Sequence, residues 1–209
     1  MCSKIKNYNM LIFLFIFFGG NLSALEEPSY TIIKKYDDFE IRDYEPYMVA
    51  EVEINGTYQN SGNSAFRILA GYIFGDNQSS EKMSMTAPVE SENIQSSEKM
   101  NMTAPVFSTS DSSVYTYRFV MEKKYNQSNL PKPNDKRIRI KNIDKRIMAV
   151  IKFSGRWTEK NFKKHENYLL NNLKTQNITI TGDAIYARYN APFTPWFMRR
   201  NEVMFEVNL

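Results

Sequence analysis

Residues 48–56 read M-V-A-E-V-E-I-N-G, and residues 147–155 read I-M-A-V-I-K-F-S-G. The two stretches lie 99 positions apart, and both end in a glycine, Gly56 and Gly155. Each is a short, largely apolar run of the kind that forms a strand, and each is followed by a helical pattern. This match predicts that one strand–strand–helix–strand–strand unit occurs twice in the chain.

The rest of the chain supplies the same elements around both stretches. Alternating or short apolar runs predict further strands at residues 30–35, 39–44, 137–141, 184–189 and 202–207. Stretches rich in Ser, Asn and Asp predict loops at residues 90–98, 108–113 and 126–135. We therefore predict an α+β fold, in which two helices pack against a pseudo-symmetric sheet.

Each predicted helix carries one apolar face. In residues 61–75 this face holds Phe66, Leu69 and Ile73, with Ala70 beside them. The second helix begins after Thr158, a residue type that caps helix N-termini, and ends near Lys174. Its apolar face holds Phe162, Leu169 and Leu173.

The first 24 residues have the pattern of a secretory signal peptide. Two lysines precede an unbroken apolar run at residues 10–18, which is too short to span a bilayer. We predict residues 1–24 as the signal and residues 25–209 as a single domain, exported to the periplasm or secreted, with no membrane span after cleavage. The only cysteine, Cys2, lies in the signal, so the mature domain forms no internal disulfide.

The mature domain has only a small net positive charge. Two of the 27 basic residues lie in the signal, so the 25 that remain and the 23 acidic residues give the mature domain a net charge of +2. A charge this small argues against nucleic acid as a partner.

A ten-residue sequence occurs twice with one change, as S-E-K-M-S-M-T-A-P-V at 80–89 and S-E-K-M-N-M-T-A-P-V at 97–106. Read as strands of one hairpin, the copies place four methionines on one surface, together with Ala and Val. These are Met83, Met85, Met100 and Met102. Two interpretations stay open: a thioether cluster that handles Cu(I), or packing of the interior.

No motif of an enzyme is present. The chain lacks a phosphate-binding glycine loop, a nucleophile elbow and a metalloprotease HExxH sequence, and its carboxylates are scattered. His165 is the only histidine, which excludes an ordinary zinc site and a cysteine–histidine pair in the mature domain. We predict a binding protein and not an enzyme.

Residues 186–204 combine aromatic side chains with adjacent arginines. Tyr189, Phe193, Trp196 and Phe197 offer flat apolar surfaces, and the pair at 199–200 offers guanidinium groups. This combination suits a planar ligand that carries carboxylates, because the rings stack while the guanidinium groups pair with the acids. The alternative is a loop whose aromatic residues cap the sheet.

These features together resemble the SOUL heme-binding protein family over nearly all of the mature sequence. The resemblance is carried by four segments: the Tyr-rich strands at 30–44, A-F-R-I-L-A-G-Y-I-F-G-D-N at 65–77, the two K-M-x-M-T-A-P-V copies, and Y-N-A-P-F-T-P-W-F-M-R-R-N-E-V at 189–203. The resemblance implies a twisted, barrel-like antiparallel sheet flanked by two helices. It also implies similarity to the effector-binding domains of some transcriptional regulators, which bind drug-like molecules.

The family resemblance implies non-covalent binding of heme or a related tetrapyrrole by a monomer. The first helix and the late aromatic segment are then expected to form the groove, and the predicted binding residues are Phe66, Arg67, Ala70, Phe193, Trp196 and Arg199. The axial ligand stays open among His165, a tyrosine and a methionine. Another flat amphipathic small molecule is the alternative ligand.

Overall fold

The computed structural model describes residues 25–94 and 113–209. Within these ranges the strands are β1 Tyr30–Lys35, β2 Glu40–Tyr44, β3 Tyr47–Gly56, β4 Val89–Ile94, β5 Ser113–Val120, β6 Arg139–Ile143, β7 Arg146–Phe153, β8 Thr179–Ile180, β9 Ile185–Arg188 and β10 Asn201–Asn208. The helices are α1 Tyr58–Ile73 and α2 Glu159–Thr175, and a 3-10 helix spans Trp196–Met198. No helix of the described ranges is long and apolar enough to cross a bilayer.

The strands form one curled antiparallel sheet, a half-barrel, in the order β1-β2-β7-β10-β9-β4-β5-β3-β6, and the short β8 pairs with β10 beside this path. The unit β2-β3-α1-β4-β5 and the unit β6-β7-α2-β9-β10 have the same order of elements. The sheet order is symmetric about the β4–β9 pair, and the outer strands are exchanged, so that β2 pairs with β7 and β6 with β3. The predicted duplication and the α+β fold are therefore confirmed.

Both helices begin in the same way, which explains the matched glycines. Gly56 and Gly155 have φ angles of 140° and 129°, a region in which a residue with a Cβ is strained. The N-cap residues of the two helices are Thr57 and Thr158, and each hydroxyl accepts a hydrogen bond from the backbone N–H three residues later. The glycine turns the chain off the sheet, and the threonine starts the helix.

The main core lies between the helices and one face of the sheet. Leu69 and Ile73 of α1 and Phe162, Leu169 and Leu173 of α2 are buried there, as their spacing predicts. Phe66, on the edge of the same helix face, is 37% exposed. Its ring packs edge-on against Phe119 at a centroid distance of 5.6 Å, and its outer side faces a groove.

The opposite face of the sheet buries charged groups beside a second apolar cluster. Glu202 is fully buried and accepts hydrogen bonds from Arg42 (3.0 Å), Arg200 (3.0 Å) and the Tyr189 hydroxyl (2.7 Å). Burial alone would lower the pKa of Arg42, but the attraction and hydrogen bonds of Glu202 and Tyr44 together outweigh it and the pKa is raised. Through one carboxylate on β10, the cluster joins Arg42 of β2 to Tyr189, the residue that follows β9.

The first copy of the repeated sequence is not a strand, contrary to the prediction. Over residues 80–88 its backbone bonds to scattered partners: the N–H of Met83 donates to the Ile73 carbonyl, and that of Ala87 to the Glu26 carbonyl. Met83 is buried in the main core, whereas Met85 is half-buried and faces the groove. The second copy, with Met100 and Met102, lies outside the described residues.

The polar stretch that was predicted as a loop at 90–98 begins with a strand, β4, and the prediction was wrong for residues 90–94. Its glutamates are matched by partners on neighbouring strands. Glu90 is buried and accepts a hydrogen bond from the Tyr47 hydroxyl (2.8 Å), and Glu92 pairs with Arg118 at 2.7 Å. Such partners are distant in sequence, so composition alone suggested a loop. Residues 95–98 lie outside the described ranges, as does most of the predicted loop at 108–113.

Buried tyrosines are expected to make the fold sensitive to alkali. Burial raises the pKa of Tyr44 and of Tyr117 to about 12, and the charge of Glu202 adds to the effect at Tyr44. A tyrosine in the unfolded chain titrates near pH ~10. The folded state therefore holds these protons more tightly, and the stability they contribute is complete below pH ~10 and is lost as the pH rises towards 12.

We expect absorbance at 295 nm to rise in two steps, and the second step to coincide with loss of the far-ultraviolet circular dichroism signal. Titration of all tyrosines in a single step around pH ~10, with structure retained, would contradict this assignment.

Candidate ligand-binding groove

An elongated groove lies between α1 and the chain that follows β9. Its volume is about 660 Å³, which falls within the range of small-molecule sites. One wall is the outer face of α1, the floor is formed where β4 begins and β9 ends, and the other wall is the segment that leads to the 3-10 helix. The lining residues are Leu25, Gly62, Asn63, Phe66, Arg67, Met85, Thr86, Ala87, Val89, Trp157, Arg188, Tyr189, Asn190, Ala191, Pro192 and Arg199.

The groove is largely apolar but contains three guanidinium groups. Arg67 lies on the α1 wall, Arg188 on the floor and Arg199 on the opposite wall. None of the described residues that line it is an aspartate or a glutamate. An apolar slot with several cations and no carboxylate favours a ligand that is itself apolar and anionic.

Arg188 is the one of the three that has a buried nitrogen without a partner in the described structure. One terminal nitrogen donates to the Tyr58 hydroxyl at 2.6 Å, and the guanidinium lies over the rings of Tyr58 and Trp157 at 5.2 and 5.6 Å. Its Nε is buried and has no hydrogen-bond partner within the described ranges. A buried donor without an acceptor is costly, and Arg188 forms no ion pair with any carboxylate in the described structure. An anionic ligand would supply the missing acceptor.

Arg199 and Arg67 are held differently. Arg199 donates to the carbonyls of Thr194 (2.8 Å) and Pro192 (2.7 Å), and its guanidinium stacks 4.1 Å from the Trp157 ring centre. It shapes the wall and keeps its charge free of any carboxylate in the described part of the chain. Arg67 is exposed at the edge of the groove. Arg188 and Arg199 are thus held by hydrogen bonds to the protein, whereas Arg67 is exposed.

The structure brings together only some of the predicted site residues. Phe66, Arg67 and Arg199 line the groove, whereas Ala70 is 8% exposed and packs in the main core. Phe193 and Trp196 are 89% and 50% exposed and do not line the groove. These two side chains neither stack in the groove nor cap the sheet.

Sequence reasoning missed Arg188 and Trp157, the centre of the site. A signal for Arg188 was present, because strand alternation places it on the same side as Tyr186, which faces the core. A cation on the buried side of a strand is unusual and points to a specific role. Trp157 precedes the α2 cap, and its indole N–H donates to Asn201 Oδ1 at 2.7 Å, a contact that is 44 positions distant in sequence.

The family follows from comparison with known proteins. A family model described as "SOUL heme-binding protein" matches residues 25–206, which is most of the chain. The chain belongs to the SOUL heme-binding protein family. No curated protein matches the sequence at the significance applied.

Solved structures show where else this SOUL fold occurs. The EcmrR C-terminal domain superposes with a TM-score of 0.59 at 10% identity, covering 86% of this chain and 98% of that one. A DNA complex of EcmrR gives a TM-score of 0.58 at 10% identity, covering 81% and 57%. An uncharacterized conserved protein from Listeria innocua gives 0.54 at 11% identity, covering 82% and 92%. At these identities the likeness shows a shared fold alone.

The groove of this SOUL protein offers partners for the apolar faces and the carboxylates of a heme, but few side chains that could coordinate its iron. His165 does not line it: the ring stacks on Phe153 at 3.7 Å, and Nδ1 lies 2.8 Å from the Asn161 carbonyl oxygen. Tyr189 donates to Glu202, and burial raises its pKa well above the ordinary value, so it is a neutral phenol and a poor iron ligand. Among the described lining residues, Met85 is then the one whose side chain, a thioether, could coordinate iron.

The structure does not support the part of the Cu(I) hypothesis that places Met83 and Met85 on one surface of a strand. Met83 lies in the main core and Met85 lines the groove, so the two sulfur atoms of the first copy have different surroundings. Whether the methionines of the second copy approach either of them lies outside the described residues. Within those residues no group of three or more His, Cys, Asp or Glu side chains is placed to hold a metal.

Proposed function

We propose that the groove binds heme or a related tetrapyrrole without covalent attachment and without a reaction. The apolar faces of the macrocycle lie against lining residues such as Phe66 and Met85, and its carboxylates lie at the arginines. The single observation that carries this proposal is Arg188, whose buried Nε has no partner at the floor of an apolar groove without carboxylates.

The ligand class follows from size and charge. A volume of about 660 Å³ admits a molecule of drug or porphyrin size and not a macromolecular chain. Two fixed guanidinium groups, at Arg188 and Arg199, suit a ligand with two acids, because each charge-assisted pair forms away from bulk water. Bound heme would bring an iron centre, and the chain's own part is to bind, orient and shield the macrocycle. We further propose that the mature domain acts after export.

A hemin titration tests this function. We expect the Soret band of hemin to shift on binding to residues 25–209, with saturation at one equivalent of hemin per chain. Bovine serum albumin and a heat-unfolded sample of the same chain serve as controls for specific and adsorptive binding. A shift that grows without saturation, or equally with the unfolded sample, would count against the proposal.

A second ligand class shares the same groove. The lack of histidine among its described lining residues favours a ligand that needs no metal bond, such as a metal-free porphyrin or another flat amphipathic acid. Thermal stabilisation separates the two, because a ligand that binds only the folded state raises Tm, and at equal concentration the ligand of higher affinity raises it more. Stabilisation by such acids, with none by hemin, would move the assignment to this second class.

A further inference from the structure

The segment 193–198 presents large apolar side chains to solvent. Phe193, Trp196, Phe197 and Met198 are 89%, 50%, 61% and 66% exposed, and they account for four of the eleven exposed large hydrophobic residues in the described chain. We call these four side chains the apical patch. Single exposed apolar residues are ordinary, but four within six positions mark an interaction surface.

Part of the backbone of the apical patch is hydrogen-bonded to neighbouring residues. The N–H groups of Thr194, Met198 and Gly155 donate to the carbonyls of Ala191, Pro195 and Trp196. Arg199 donates to the Thr194 carbonyl and to the carbonyl of Pro192, just before the segment, and Pro195 carries no N–H. These hydrogen bonds hold the turn that points the side chains outward, and the bonded groups need no water when the turn meets a headgroup region, where the remaining backbone groups stay hydrated.

The shape and chemistry of the apical patch suit a lipid surface. A stable protein interface needs roughly 800 Å² on each partner, far more than one short turn offers, whereas a projecting turn can enter the soft boundary of a bilayer. Tryptophan is enriched at that boundary. Arg156 is exposed beside the Trp196 ring, 5.9 Å from its centre, and has no carboxylate partner in the described chain, which provides a cation for an anionic headgroup.

We propose that the apical patch inserts shallowly into a lipid bilayer that contains anionic headgroups. Phe193, Phe197 and Met198 enter the acyl boundary, and Arg156 contacts a headgroup phosphate. Since Ala191, Pro192 and Arg199, which flank this segment, form a wall of the groove, insertion places the mouth of the groove at the membrane surface. The docking itself does not depend on which ligand the groove binds.

Vesicle co-sedimentation tests the apical patch. The probe is vesicles of phosphatidylcholine with and without phosphatidylglycerol, and the variant is Phe197→Ser/Met198→Ser, which leaves the groove lining unchanged. We expect at least ~10-fold weaker partitioning of this variant, since two apolar side chains lose their burial. The matched control is Ile33→Ser/Phe74→Ser, which removes two side chains of similar exposure (47% and 57%) elsewhere and is expected to partition like the wild type.

Two further measurements separate this proposal from others. Lipids brominated near the headgroup are expected to quench wild-type tryptophan fluorescence, and Trp196→Phe to remove most of that quenching. Hemin saturation of Phe197→Ser/Met198→Ser is expected to match the wild type, so the two proposals can fail separately. The proposal is overturned if the wild type does not partition, if the variant partitions equally, or if the patch instead drives a dimer that the variant abolishes.

Discussion

Replacing Glu202 by alanine is expected to lower the free energy of unfolding by about 3–5 kcal/mol, because it leaves buried cations without their counter-charge. Glu202 has no exposed surface, and its partners Arg42 and Tyr189 are 3% and 8% exposed. Alanine removes the acceptor shared by these groups and by Arg200, and water cannot replace it without opening the sheet. A loss of this size is a large part of the stability of a single domain.

The matched control for this prediction is Glu206→Ala on the same strand. Glu206 is exposed, so its removal is expected to change the unfolding free energy by no more than about 0.5 kcal/mol. Urea unfolding followed by circular dichroism measures both. If Glu202→Ala does not fold, Glu202→Gln, which retains acceptor and shape, is expected to fold with an intermediate loss. A change below about 1 kcal/mol for Glu202→Ala would show that the cluster does not hold the strands together.

Replacing Arg188 by leucine is expected to weaken binding of a diacid porphyrin by at least ~10-fold while leaving the free protein as stable as before or more stable. Both effects have one cause. In the free protein the Arg188 guanidinium is half-buried with an unpartnered Nε, so removing it relieves an unsatisfied group, which offsets the loss of its hydrogen bond to the Tyr58 hydroxyl. In the complex the same group pairs with a ligand acid.

The ligand pair that tests Arg188 is metal-free protoporphyrin IX and its dimethyl ester, followed by porphyrin fluorescence. The wild type is expected to prefer the diacid, and Arg188→Leu to lose that preference with little change in affinity for the ester. Arg139→Leu is the control, since Arg139 is exposed on the edge strand β6 and pairs with Glu53. An equal loss for acid and ester would mean that Arg188 shapes the groove without contacting an anion.

Local signals in the sequence were sufficient for most of the fold. The helix starts at Gly56 and Thr57 and at Gly155 and Thr158 are predictable from the local sequence. A glycine with positive φ and a side-chain cap act within a few residues of each other. The match between residues 48–56 and 147–155 then predicted that the two halves of the sheet have the same order of elements. Strand β4 was missed because its glutamates become favourable only when Tyr47 and Arg118, far along the chain, supply partners.

The candidate site was only partly predictable for the same reason. Phe66 and Arg67 follow from the outer face of a helix, but the direction of Phe193 and Trp196 depends on how the segment 191–199 folds. That fold rests on Arg199 bonding back to two carbonyls and on the Gly155 N–H reaching the Trp196 carbonyl. These contacts turned the predicted stacking residues outward and left Arg188 and Trp157 at the centre of the groove.

The most direct measurement of the groove assignment is a hemin titration of three proteins side by side. Asn63 is exposed on the α1 wall, so Asn63→Trp fills the groove without disturbing the core, and Asn171→Trp places the same side chain on the exposed surface of α2. The account predicts a Soret shift that saturates at one equivalent for the wild type and for Asn171→Trp, and no saturable shift for Asn63→Trp. Saturable binding by Asn63→Trp with the affinity of the wild type would contradict it.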